Sequence, residues 1–403
     1  LTLDAALDNP KSTLAGRITL HADQSLAASL LGSRLPRATA DGTFTFSLNL
    51  RNGDLNAALS GDFDGRDWEK ILPQLAVLDA FKGRLTAALT RRGDALKISE
   101  LTATLRGERT PASASLTLAQ PFDPRLPPAA PVVQLALEHW PVEWANPFLA
   151  DSGVQLAPAE FNAAWTVSYD LAPTVKLTPV RPATLGPIAL RGEKIPPLPA
   201  FSFSFSPVAE ISPARATLTI ADFTATTPAG DRVDAQIALT RDAATGQLRS
   251  SGELHGSTPT LLAGAEAPLP FLLNSKWAAQ ITGDQLQLSS FEFAARPTAD
   301  TAPYLSLQLE RPFDFNLAKL AATAGPNDLA LDWLRLRVAE FPLAWLSHWL
   351  PGNTIAGTWA AGESAIRPAA GGGFALHTPA SWRFNHVSFA PAGATPFPID
   401  AEL

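Results

Sequence analysis

Leu96-Lys97-Ile98-Ser99-Glu100-Leu101-Thr102-Ala103 alternates apolar and polar residues, takes one extra step at Ser99-Glu100, and then alternates again. Leu286-Gln-Leu-Ser-Ser-Phe-Glu-Phe293 and Trp382-Arg-Phe-Asn-His-Val-Ser-Phe389 repeat the pattern, and looser copies begin at Ala183, Leu218 and Leu329. Strict alternation is the mark of a strand with one buried face. An extra residue would turn the second half of such a strand over, unless the chain takes a bulge or a sharp bend at that point. Each copy therefore predicts a long strand, bulged or sharply bent in the middle, whose two halves keep their apolar residues on one side.

With 46% hydrophobic residues, the four apolar positions alone would match about 18 times by chance. Polar residues at all four other positions leave roughly one or two chance matches, against the three quoted. Context adds weight. Leu218 leads through Gly230-Asp231 to Val233, Ala235, Ile237 and Leu239. Leu286 leads through Pro297 and Pro303 to Leu305, Leu307 and Leu309, and Trp382 through Pro391 and Pro398 to Ile399, Ala401 and Leu403.

Turn chemistry sits where hairpins need it. Thr43-Phe-Thr-Phe-Ser-Leu-Asn-Leu50 alternates, Arg51-Asn-Gly-Asp54 turns, and Leu55 to Leu59 returns. Asn-Gly favours a tight hairpin because both residues tolerate positive φ. Similar turns stand at Arg92-Gly-Asp94, Gly230-Asp231, Thr245-Gly246 and Gly283-Asp284, so most of the chain reads as an antiparallel meander. Short helices interrupt it at Asp67–Pro73, Pro141–Leu149 and Pro342–Pro351, with weaker relatives at Ser25–Leu31 and Pro259–Ala263. In the second and third, Pro141 and Pro342, Trp144 and Trp345, and Leu149 and Leu350 correspond at a constant offset of 201. Proline fits the first turn of a helix and stops one after its last apolar residue. A short helix followed by hairpin strands thus recurs as a unit, which predicts an array more than separate globules.

Composition excludes several functions. The 403 residues carry a net charge of -7 without charge runs, so there is no basic footprint for nucleic acid or stripe for anionic headgroups. Pro, at 36 residues, is about twice its usual share, which implies many strand ends, edges and turns. Two Pro-rich stretches, 121–131 and 173–199, read either as joints or as loops at a sheet edge; the loop reading is preferred because β patterning resumes on both sides. Cys is absent, which removes disulfides, thiolate metal sites and cysteine nucleophiles and fits an oxidising compartment such as a periplasm, though cytosolic chains also lack it. Met is absent too, and both ends fall within strand-like patterns, so the expectation is a piece of a longer protein, 1–403 forming one elongated β-repeat segment with any signal or anchor outside it. No run of 18 uncharged apolar residues occurs.

No catalytic constellation stands out. His21, His139, His255, His348, His377 and His386 lack zinc-site spacing and read as edge or half-buried residues. There is no nucleophile elbow, P-loop or dinucleotide fingerprint, and Gly371-Gly-Gly373 reads as a turn. Asp62, Asp64 and Asp67 lack the rest of a calcium loop and read as capping and turn residues. Trp144, Trp345 and Trp349 lie at core spacing in the short helices, which favours packing over sugar stacking. No enzyme activity, cofactor or metal is expected. The function-like feature is the apolar strand face. Phe44, Phe46, Leu48 and Leu50 form one such face, Phe201, Phe203 and Phe205 another, and Phe291 and Phe293 belong to the bulged strand at Leu286. Such residues serve a closed core or an open groove for acyl chains equally well, because both demand apolar side chains.

The pattern Leu-x-Ile-Ser-x-Leu-x-Ala, with the helix Phe341-Pro-Leu-Ala-Trp-Leu-Ser-His-Trp-Leu-Pro351 running into Ile355-Ala-Gly-Thr-Trp359, resembles the AsmA-like family, which includes TamB and YhdP relatives. The resemblance covers most of the chain from about residue 24. It implies a mainly β, elongated antiparallel β repeat array, curved and groove-like, with a few short helices. It also implies a periplasmic protein tethered to the inner membrane by an anchor outside this segment, with phospholipid or another acyl-chain lipid as partner, no nucleic acid, and no catalytic residues. The lipid-groove candidates are then Phe44, Phe46, Leu48, Phe201, Phe203, Phe205, Phe291 and Phe293. The alternative is a structural or adhesive cell-surface β array with a closed core.

Overall fold

A computed structural model describes residues 2–8, 11–22, 37–70, 72–126, 130–150, 154–170, 174–191, 199–258, 271–316, 321–323, 331–347, 353–369, 374–391 and 397–399. The fold is mainly β and antiparallel, as the alternation predicts. It divides into two compact units. Unit 1 comprises residues 1–191 and 207–212, and unit 2 residues 192–206 and 213–403, so the chain passes between them after residues 191, 206 and 212. The expected loop at 173–199 is corrected: its described residues are mostly strand, Val175–Ile188 and Leu190–Arg191.

In unit 1 the strands are β1 (Thr2–Asp8), β2 (Thr13–Ala22), β3 (Arg37–Asn49), β4 (Leu55–Arg66), β5 (Phe81–Arg92), β6 (Ala95–Gly107), β7 (Ser113–Leu118) and β8 (Val133–Pro141), each paired antiparallel with the next. β9 (Gln155–Leu156) stands outside this ladder, while β10 (Glu160–Tyr169) pairs with β8 and with β11 (Val175–Ile188). β12 (Leu190–Arg191) pairs with β9. β13 (Phe201–Phe205) belongs to unit 2, and β14 (Pro207–Ile211) completes unit 1 by pairing with β11.

Unit 2 continues with β15 (Arg215–Thr226), β16 (Arg232–Asp242), β17 (Leu248–Ser257), β18 (Leu272–Thr282) and β19 (Gln285–Arg296), a meander that β13 borders through β15. β19 then splits its pairing between β20 (Leu305–Leu309) and β21 (Phe313–Asn316), the latter continued by β22 (Ala321–Thr323). β20 pairs with β23 (Leu334–Pro342), followed by β24 (Thr354–Pro368), β25 (Phe374–Ala390) and β26 (Phe397–Ile399). The hairpin turns stand where the sequence places them, and Gly53 at φ +73° makes the Asn52-Gly53 turn.

The broken alternation is a bulge in four copies. In β6 the register jumps between Ala88–Glu100 and Leu89–Ile98, leaving Ser99 as the extra residue. In β19 it jumps between Ala278–Ser290 and Ala279–Leu288, leaving Ser289. Both serines donate their hydroxyl to the carbonyl facing the bulge, Ser99 to Ala88 O at 3.4 Å and Ser289 to Ala278 O at 3.0 Å. β15 slips between Ile220 and Phe223. β25 slips opposite Gly357, where a Cβ would lie 2.6 Å from the His386 carbonyl oxygen. Each extra residue restores the face that simple alternation would lose. The copy at Leu329 begins outside the described residues.

Short helical turns close one rim of each unit: 3₁₀ turns at Trp68–Lys70, Pro73–Val77 and Val142–Ala145, and α turns at Asn146–Leu149 and Ala344–Ser347. The expected helices at Ser25–Leu31 and Pro259–Ala263, and the end of the one at Pro342–Pro351, lie outside the described residues. The offset of 201 extends to backbone and packing. His139 and Glu340 both take a left-handed conformation, φ 55° and 50°, just before Trp140 and Phe341. In unit 1, Trp144 meets Trp140 edge-on at 5.5 Å and Phe81 at 5.8 Å. In unit 2, Trp345 meets Phe341 edge-on at 5.4 Å and packs with Phe271, Leu343, Val338 and Val387. Packing is thus the role of Trp144 and Trp345; Trp349 lies outside the described residues. Asp62 and Asp64 correct an expectation. They are strand residues of β4 facing Arg84 and Arg66, because polar side chains there alternate with Phe63 and Gly65.

Candidate apolar binding face

Residues directly opposite one another in a ladder share a face, so the register sorts each sheet into two sides. In unit 1 one row runs Ala5, Gly16, Phe46, Ala57, Leu89, Ile98, and the next Leu3, Ile18, Phe44, Leu59, Ala87, Leu101. A third runs Leu85, Ala103, Leu116, Leu135, Trp165. The row beside them on the other side, Arg17, Thr45, Ala58, Ala88, Glu100, is largely polar. In unit 2 the apolar side carries Ile220–Ile237, Phe223–Ala235–Leu254, Trp277–Phe291, Phe293–Leu307–Leu336 and Leu334–Ile366–Leu376. Its reverse carries charged pairs such as Lys276–Glu253 and a chain of contacts from Glu310 through Arg335 and Glu363 to Arg337.

All eight groove candidates stand on these apolar sides, and all are half-buried. Phe44, Phe46 and Leu48 lie along β3 in unit 1, the two rings stacked at 6.1 Å. Phe46 lies over Gly16, where a Cβ would come within 2.7 Å of the ring; the glycine is what lets the ring lie flat. Phe201, Phe203 and Phe205 lie along β13, and Phe223 of β15 meets the last two at 5.8 and 6.2 Å. Phe291 and Phe293 stand on β19, with β15 to β18 between them and β13, about 24 Å at the usual strand spacing. Phe293 packs against the buried rim cluster of unit 2, so it belongs half to the core and half to the open face. The candidates therefore form one patch in unit 1 and two separate patches in unit 2.

The register also gathers a site that alternation alone does not single out. In unit 2, Phe313, Trp333, Leu334, Ile366, Phe374 and Leu376 line a cavity of about 330 Å³. Phe313 stacks on Trp333 at 4.9 Å, and Phe374 stacks on Phe315 at 5.9 Å. Trp333 is buried at 4% exposure, whereas Phe374 and Leu376 stand 49% and 58% open. An apolar back wall with an open apolar lip suits a hydrocarbon ligand, and the volume falls in the range of small-molecule sites, about 300–1,000 Å³. The residues come from four strands and from Trp333 just before β23, spread over about sixty positions, and Phe374 follows the Gly371–Gly373 stretch in sequence. The pairings Phe-Asp-Phe at 313–315 and Phe-Ala-Leu at 374–376 were the only sequence signal.

At the closed rim of unit 1, Asp79 is 2% exposed. Burial pushes its carboxyl up. The Arg109 guanidinium at 2.9 Å, the Arg109 and Thr110 backbone amides and the Thr110 hydroxyl outweigh that and hold it at about 2, from an ordinary 3.8. Trp68 donates its indole N–H to the Asp79 carbonyl at 2.9 Å, tying the 3₁₀ turn to the same knot. Among the described residues no group of acids and histidines could hold a metal ion, and no helix is long and apolar enough to cross a membrane. No family model matches the sequence, no curated protein matches it, and no solved structure matches the fold.

Proposed function

We propose that the chain is a segment of an AsmA-like bacterial envelope protein. In this reading its apolar sheet face binds phospholipid acyl chains and conducts them between the inner and outer membranes, without chemistry of its own. One observation carries the reading: each unit keeps an apolar side that is only half-buried along most of its length, with Leu59, Phe63, Phe374 and Leu376 at 37–58% exposure. A closed sandwich would bury such residues against a second layer. Each methylene moved from water onto this face gains about 0.8 kcal/mol, so a partly covered chain is held without any polar anchor. The periplasmic location and an inner-membrane tether outside this segment are part of the proposal. The test is purification without detergent followed by native mass spectrometry. Co-purified phospholipid is expected; a ligand-free protein that also takes up no added lipid would favour the structural β array instead.

A further inference from the structure

On the polar side of unit 2 we propose a second binding site, for an oxyanion of the phosphate class, centred on Arg296. The site is independent of the acyl-chain reading. Arg232, Ser257, Leu272 and Arg296 face one another across β16 to β19, and His255 and Asn274 form part of the next row. Together they line a cavity of about 370 Å³. The charges in it are unequal in their partners. Arg232 is spent on Asp234, which it grips at 2.7 and 2.8 Å, while the Thr224 hydroxyl donates to the same carboxylate. This clamp holds the Asp234 carboxyl below its ordinary value, so it stays a matched anion. His255 shares its Nδ1 with Asn274 Oδ1 at 2.6 Å and stands 3.9 Å from Glu253. Lys276, in the adjoining cavity of about 280 Å³, is paired with Glu253 at 3.3 Å.

Arg296 is the charged residue that lines both cavities, it has no ion pair among the described residues, and its Nε–H is buried without an acceptor. A buried donor left unmade costs about 1–3 kcal/mol, and a guanidinium fork is shaped to return that to a ligand with two oxygens. Ser257 and Asn274 add neutral donors on the same wall. A phosphate meets all of these needs, and it could arrive as free phosphate or as the phosphodiester of a lipid headgroup.

The test is calorimetric titration at fixed ionic strength, first with inorganic phosphate and then with a short-chain phosphatidylglycerol below its micelle concentration. Wild-type protein should bind at least one of them, and Arg296→Gln should weaken that binding at least ten-fold. Binding of phosphate itself assigns the free ion; binding of the lipid alone, still dependent on Arg296, assigns the headgroup. Ser257→Asp, on an exposed wall position, should weaken binding similarly by charge repulsion and serves if the Arg296 variant does not fold. No binding of either probe, or binding that both variants leave unchanged, overturns the site. An acyl chain bound on the opposite face would survive both variants, so failure here leaves the acyl reading untouched.

Discussion

The closed rim and the open floor of each unit are built from the same residue types and end in opposite states. At the rim, Phe81 and Phe341 are 3% and 6% exposed, wrapped by tryptophans delivered on short helical turns. On the floor, Phe44, Phe46 and Phe203 stand half-buried, and among the described residues their ring contacts are to phenylalanines of the same sheet. Hydrophobicity therefore does not distinguish the buried rim from the half-buried floor in this protein. The presence of a covering element does. The rim supplies buried packing for each sheet, while among the described residues the floor stays half-buried.

Several changes would break or sharpen that contrast. The largest effect should follow deletion of Ser289: without the bulge, one arm of β19 turns its apolar residues to the polar side, and unit 2 should lose its cooperative unfolding transition altogether. Leu343→Ala at the rim, where the side chain is 3% exposed, should destabilise by about 3 kcal/mol in urea unfolding. The same change at Leu59 on the floor, 37% exposed, should cost about 1 kcal/mol or less. Equal losses at the two leucines would erase the distinction between rim and floor.

Asp79→Asn should cost about 2 kcal/mol at neutral pH, because it removes the charge that Arg109 and the Thr110 amide are arranged around. The folded carboxyl titrates at about 2 against an ordinary 3.8, so the stabilisation it gives is complete above about pH 4 and fades as pH falls toward 2. Wild type and variant should therefore converge over that window in acid unfolding. Ser289→Ala should be the mildest change, about 0.5–1 kcal/mol, since it removes one exposed hydroxyl bond and keeps the bulge.

Much of this contrast was legible beforehand. A bulge or sharp bend followed from the extra residue in the alternation, the register showing which of the two it is, and the hairpins followed from Asn52-Gly53, Gly93-Asp94 and Gly283-Asp284, because both are local constraints written in consecutive residues. The packing role of Trp144 and Trp345 followed from their spacing. The cavity around Trp333 was not legible: its walls are joined by strand register over long separations, and short runs such as Phe313–Phe315 carry little periodicity. Asp62 and Asp64 misled because a close run of acids suggests a turn, whereas their side chains simply occupy alternate polar positions on β4. The unmatched charge of Arg296 was equally invisible, since pairing depends on which rows the register aligns.

The central claim is that one side of each sheet is an open acyl-chain surface. Phe46 and Thr45 are neighbours in sequence on opposite sides of β3. Titration of a fluorescent fatty acid into wild type, Phe46→Glu and Thr45→Glu tests the claim most directly, with circular dichroism showing that all three are folded. The account predicts saturable uptake by wild type and Thr45→Glu, and uptake at least five-fold weaker in Phe46→Glu. No uptake by wild type, or equal loss in both variants, would contradict it.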